Sequence, residues 1–112
     1  MSEKKIVLLI SSSPFSTLNT YEALRASISI FEHKVTVIWR DKATHYTRDS
    51  VEKLMSKPFL RLAKDMEIEL FVLENDLRKH GLDEAQLDSR IKSINYDDFI
   101  SILESADYVM KF

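Results

Sequence analysis

The chain has 112 residues, 45% of them hydrophobic and 30% charged, with well-mixed charges and a net charge of −2; this balance predicts one globular domain over 1–112 and no direct nucleic-acid binding. Its single glycine excludes the Gly-rich phosphate-binding loops, and its lack of cysteine excludes thiol chemistry by this chain. The N-terminal apolar run has five residues, too few for a signal peptide or a membrane span, so we expect a cytoplasmic protein with no membrane contact.

Five short apolar runs predict five β-strands. The first, 6–10, is continuous and rich in β-branched residues, as expected of a strand buried on both faces. The remaining four runs lie at 35–39, 68–73, 91–94 and 108–112. Trp39 ends the second run, where it can belong to the core or to an interface.

Helical patterns separate these runs. Apolar residues recur every three or four positions over 18–31, and Asn19 with Glu22 has the spacing of a capping box. A short helix is expected over 51–55, and Pro58 must interrupt or restart it because proline lacks an N–H.

Shorter helices are expected after the third run and before the fifth. Asn75 or Asp76 can cap a single helical turn, and Gly81 lies where a left-handed helix end favours glycine. Asn95 caps the last helix. Strands that alternate with helices predict an α/β fold, a three-layer α/β/α arrangement with a mostly parallel five-stranded sheet.

Ligands of such sheets bind outside the carboxyl ends of the strands. The candidate residues for binding a ligand or a partner in these segments are Ser12, Ser13, Phe15, Arg40, His45, Tyr46, Arg48, Asn75 and Asp76. The basic segment 40–48 can recognise an anion or an acidic partner surface, although a solvated loop explains the same residues.

No residues have the pattern of a catalytic or metal site. The serines at 11–13 lack a Gly-x-Ser-x-Gly elbow, and a hydroxyl-rich turn explains them. Asp76 and His80 are four residues apart, but two ligands do not complete a zinc site, and a capping Asp76 with a surface His80 explains the spacing. We therefore expect no metal and no cofactor, and we do not expect an enzyme.

Three segments together resemble a known protein family. A Ser-Pro-Phe loop follows the first strand, Leu-Arg-x-x-Gly-Leu at 77–82 follows the third, and the last strand ends in Lys111-Phe112. In this order the chain resembles the DsrE/DsrF-like family over essentially its whole length, and most of all the DsrF/TusC branch. The resemblance implies a small α/β/α domain in trimers or heterohexamers that pass a persulfide between subunits.

The resemblance also implies where sulfur would be carried. In the DsrE/TusD branch the carrier is a cysteine at the end of the third strand, eight residues before a glycine like Gly81. The matching position here is Leu73, which offers no thiolate.

The family pattern therefore implies a non-catalytic, structural subunit of a DsrEFH-like or TusBCD-like sulfur-relay assembly. Its partners would be further copies, in a homo-oligomer of three or more, or cysteine-bearing DsrE-like subunits in a hetero-oligomer. The alternative is a stand-alone module of the same fold that binds a small anion or a nucleotide.

Overall fold

The computed structural model describes residues 3–14, 17–51, 53 and 56–112. The strands are β1 (Lys5–Ile10), β2 (Lys34–Trp39), β3 (Glu69–Leu73), β4 (Lys92–Ile94) and β5 (Tyr108–Lys111). They form one sheet in the order β4-β3-β2-β1-β5, and every neighbouring pair is parallel. The helices are α1 (Asn19–Ser29), α2 (Lys57–Asp65), α3 (Glu74–Lys79) and α4 (Tyr96–Ser105). The predicted α/β fold with a five-stranded parallel sheet is confirmed.

Two hydrophobic cores lie on opposite faces of the sheet, because successive strand residues point to opposite sides. Ile6, Leu8 and Ile10 of β1 join the larger core, which Leu24 of α1 and Leu60 of α2 complete. The smaller core forms on the other face, around Phe99 of α4. A continuous apolar run therefore indicated correctly that β1 is buried on both sides.

Two helix starts differ from the predicted caps. Leu18, not Asn19, precedes α1, and its side chain makes no capping hydrogen bond; Thr17 Oγ1 accepts the Asn19 N–H at 3.3 Å. The Asn19 amide instead donates to Ser12 Oγ at 2.9 Å, which ties the helix to the loop after β1. Leu73 precedes α3, so Asp76 lies within the first turn of that helix.

Other local signals are confirmed. Asn95 accepts a hydrogen bond from the Asp98 N–H at 2.8 Å and so caps α4. Pro58 lies in the first turn of α2. A backbone N–H there would have no acceptor within the helix, so the lack of one in proline costs no hydrogen bond. Gly81 has a φ of 71°, in the left-handed region. The helix predicted over 51–55 includes positions 52, 54 and 55, which lie outside the described residues.

A 3₁₀ helix, Asp41–Thr47, follows β2 and is called the β2 loop below. A buried group of charged side chains connects the end of the β2 loop to the segment before β4. Lys53 Nζ lies 3.6 Å from Asp88 Oδ2, and both side chains are under 5% exposed. Arg90 donates to both carboxylate oxygens, at 2.9 and 2.8 Å. The Asp88 N–H donates to the Thr47 carbonyl at 2.7 Å, so the carboxylate and the β2 loop are held together.

We predict that Asp88→Asn lowers the free energy of unfolding by about 3 kcal/mol near neutral pH, because it leaves Lys53 buried without its counter-charge. Burial alone raises the pKa of Asp88, but the hydrogen bonds from Arg90 and the charge of Lys53 outweigh it and hold the pKa below its usual value. The ionised carboxylate thus stabilises the fold above its unfolded pKa of about 3.9, and that stability is lost as pH falls through the lower folded pKa.

Urea denaturation at several pH values measures this effect. The difference between wild type and Asp88→Asn should shrink below about pH 4. Asp65→Asn, on the exposed end of α2, is the matched control and should change stability by less than about 0.5 kcal/mol. Equal losses in the two variants would contradict a stabilising role for the buried group.

Candidate functional site

The loops that follow β1, β2 and β3 meet at the end of the sheet where these parallel strands have their carboxyl ends. This end is called the carboxyl edge below, as distinct from the edge strands β4 and β5. Backbone pairing continues one residue beyond the strands, since the Ser11 N–H donates to the Phe112 carbonyl at 3.0 Å and the Arg40 N–H donates to the Ile10 carbonyl at 2.9 Å. This edge therefore collects most of the candidate residues, as expected for a parallel sheet.

Asp76 fixes the start of the β2 loop. Asp41 has a φ of 54°, a left-handed conformation that is unfavourable for most side chains. Its N–H donates to Asp76 Oδ2 at 2.6 Å, which holds the turn in place. Asp76 was expected to cap a helix or bind a ligand; in the structure its carboxylate accepts this hydrogen bond from the neighbouring loop.

Arg40 and Tyr46 also have internal partners. The Arg40 guanidinium carbon lies 5.4 Å from the centre of the Phe99 ring, at cation–π distance. The Tyr46 ring stacks on Trp39 at 5.4 Å with the planes 13° apart, and both side chains are buried. Trp39 is therefore a core residue, and Tyr46 packs in the core with it.

The Tyr46 hydroxyl lies 2.6 Å from Ser56 Oγ in the interior. Burial raises the pKa of Tyr46 to about 12. Because the phenol stays protonated at neutral pH, it can donate or accept a hydrogen bond there but cannot act as a base.

Two imidazoles meet beside the β2 loop. The ring centres of His45 and His80 are 4.7 Å apart, and their planes are inclined by 59°. Burial, together with the nearby His80 and Arg48, lowers the pKa of His45 below 6.5. His80 was expected to be a surface residue unrelated to His45, and no spacing in the sequence pairs them. They meet because β2 and β3 are neighbours and the segments that follow them lie side by side.

The remaining candidates do not converge on one point. Ser12 Oγ accepts from Asn19, and the Ser13 carbonyl accepts from Thr17 Oγ1 at 3.1 Å. Asn75 is exposed on α3, where its side-chain oxygen accepts from Arg78 at 3.1 Å. Phe15 lies outside the described residues.

Leu73 is the last residue of β3, at the end of the third strand where the resemblance placed a sulfur carrier. Its side chain is 2% exposed and packs in the smaller core with Phe99. A leucine here contributes to the core, and a thiol in the same place would be sheltered from solvent. The equivalence with the carrier position stays a prediction.

Within the described ranges, no group of three or more His, Asp or Glu side chains is placed to hold a metal ion. Of the helices that the structure describes, none is both long and apolar enough to cross a membrane.

The family model described as "DsrH like protein" matches residues 41–109, from the β2 loop into β5. The chain belongs to the DsrH-like family. It is thus a sulfur-relay-type subunit with the DsrE/DsrF/TusB-type fold, and the resemblance seen in the sequence is confirmed at this level. No curated protein sequence matches the chain.

Two solved structures are similar to this one. The ychN protein from E. coli has a TM-score of 0.80 at 16% identity, covering 97% of this chain and 99% of that one. MTH1491, a protein of unknown function from Methanobacterium thermoautotrophicum, has a TM-score of 0.73 at 12% identity, covering 99% and 100% of the two chains. At such low identity the likeness shows the fold alone.

We predict that Leu73→Cys gives a thiol that reacts roughly tenfold or more slowly with an aromatic disulfide reagent than the thiol of Asn75→Cys, because only the second is exposed. The two thiols should react equally fast in denaturant. A native Leu73→Cys thiol as fast as the Asn75→Cys thiol would contradict the buried placement and would favour Leu73 as an accessible carrier position.

Proposed function

We propose that this chain is a non-catalytic, structural subunit of a sulfur-relay assembly and that a cysteine-bearing DsrE-like chain is its partner. The observation that carries the proposal is the absence of cysteine from the whole sequence. Persulfide exchange needs a thiolate as nucleophile, so any sulfur that passes through the assembly must be held by another chain.

Three finer statements belong to the same proposal: membership of the DsrF/TusC branch, a cytoplasmic location, and an assembly of three or more subunits. The Leu-Arg-x-x-Gly-Leu segment at 77–82 and the closing Lys-Phe support the branch. It stays a prediction, because the family model that matches is of the DsrH type.

The exposed edge of the sheet at β5 supports an assembly role. β5 pairs with β1 on one side, and no strand of the described chain pairs with its other side. Tyr108, Val109 and Met110 are 59%, 42% and 42% exposed. Unpaired backbone groups beside apolar side chains make such an edge a template for another chain.

The opposite edge of the sheet is less suited to a partner. β4 has three residues and begins with the exposed Lys92. Short edge strands and edge lysines discourage pairing with another chain. β5 also ends in an exposed lysine, Lys111, but three exposed apolar residues precede it, whereas β4 has none. This difference favours β5 as the side that meets the partner.

We predict that Val109→Lys weakens the complex with a cysteine-bearing DsrE-like relative from the same genome by roughly tenfold or more, because it places a charge within the apolar edge. Native mass spectrometry of the co-expressed chains measures the effect. Leu62→Lys is the matched control, since Leu62 is 41% exposed on α2, and it should leave the complex unchanged.

Two results would count against these statements, and they are distinguishable. If Val109→Lys assembles as well as Leu62→Lys, the partner does not bind at β5. If the wild-type chain remains a monomer in the presence of its cysteine-bearing relatives, the subunit role itself is wrong.

A further inference from the structure

His45, His80 and Arg48 form a group of basic side chains at the carboxyl edge, called the imidazole cluster below. His45 belongs to the β2 loop, Arg48 follows that loop directly, and His80 follows the end of α3. The two rings are in contact at 4.7 Å, and Arg48 is close enough to act on the charge of His45. All three side chains are partly buried.

The acidic side chains of the neighbouring elements have other partners. The Asp76 carboxylate accepts the Asp41 N–H, and Glu74 accepts from Arg78 at 2.8 Å. Asp41 is exposed at the start of the β2 loop. The other charged side chains on the adjoining segments are the basic Arg40, Lys42 and Lys79 and the acidic Asp49. Asp49 is exposed after Arg48, and its charge acts on Lys53 and Arg90.

The effects on His45 reflect this imbalance. Besides burial, the two influences that lower the pKa of His45 are His80 and Arg48, and both are basic. Arg48 is charged at every pH, and any charge on the imidazoles adds to it. A partly desolvated group of this kind attracts a compensating anion, because the low local dielectric strengthens every charge interaction there.

Two nitrogen atoms of the cluster also favour a bound anion. In the structure as described, Arg48 Nε and His80 Nε2 are buried and have no hydrogen-bond partner. A guanidinium Nε always carries a hydrogen and can only donate. Buried donors are normally paired, so the unpaired Arg48 Nε calls for an acceptor, and the unpaired His80 Nε2 can donate as well when it carries a hydrogen.

We propose that the imidazole cluster binds a small tetrahedral oxyanion such as phosphate, sulfate or thiosulfate, with Arg48 and His80 donating hydrogen bonds to its oxygens. His45 adds positive charge when its ring is protonated. Arginine and protonated imidazole suit an oxyanion, whereas the permanent charge of Arg48 repels a metal cation. The site does not depend on the structural role in an assembly.

Sulfate and thiosulfate stay dianionic over the pH range in which histidine titrates, so they should bind more tightly at lower pH. A protonated His45 attracts the anion, and by linkage the bound anion must raise the pKa of His45. Since the pKa of the free group lies below 6.5, affinity should increase as pH falls through the bound-state pKa and level off below the free-state pKa.

Proton NMR of the histidine rings tests the proposal on the full chain. The chain has three histidines, so His45→Gln and His80→Gln assign the signals. Phosphate, sulfate and thiosulfate are titrated separately against chloride at matched ionic strength. At least one of the three should shift the His45 and His80 signals saturably and raise the pKa of His45. The His33 signals should not move, because His33 lies before β2 at the opposite end of the sheet, where its Nδ1 accepts from the Lys4 N–H.

Two variants identify the donors. Arg48→Gln and His80→Gln should each weaken binding by roughly tenfold or more, as expected for a charge-assisted hydrogen bond. Arg78→Gln, on the exposed side of α3, is the matched control and should bind like wild type. If circular dichroism shows that Arg48→Gln is unfolded, His80→Gln decides, since its position is partly exposed at a helix end.

The proposal is overturned if none of the three anions shifts the His45 and His80 signals beyond the effect of chloride. It is equally overturned if the folded variants bind as tightly as wild type. Tighter binding of one anion than of the other two supports the site and identifies its ligand.

Discussion

The main chain of β1 pairs with β2 on one side and with β5 on the other, and this pairing positions the rest of the molecule. The chain moves in one direction from β1 through β2 and β3 to β4, and then returns through α4 to the opposite side of β1. β5 therefore becomes an edge strand beside the buried centre of the sheet. The same order puts the segments after β2 and β3 side by side, which brings the two imidazoles together.

The β2 loop is held by polar contacts at both ends. The Asp76 carboxylate accepts the first N–H of the loop, and the buried Asp88 binds the carbonyl of its last residue, Thr47, through its own N–H. Between these contacts Tyr46 packs on Trp39. A loop fixed at its ends and anchored in the core presents His45 in a defined place, so the site is preorganised. Burying charges is costly, and Lys53, Asp88 and Arg90 offset that cost by satisfying one another.

The fold was predictable because burial on both faces leaves a continuous apolar run, and because Gly81 marks a helix end through its own backbone. Local spacing predicts Asn19 and Asp76 as helix caps, but their actual partners lie on other elements, which local spacing does not reveal. The contact of His45 with His80 was not predictable for the same reason. It depends on which strands are neighbours, and a single sequence does not state the strand order.

The proposal that this chain supports sulfur transfer without carrying sulfur is tested most directly by following sulfur in the assembled complex. The complex with its cysteine-bearing relative is loaded from a persulfide donor, and transfer to an acceptor thiol is timed by intact-mass spectrometry. We expect sulfur on the relative, none on this chain, and faster transfer from the complex than from the relative alone. Transfer at the same rate in the presence and absence of this chain would contradict the account.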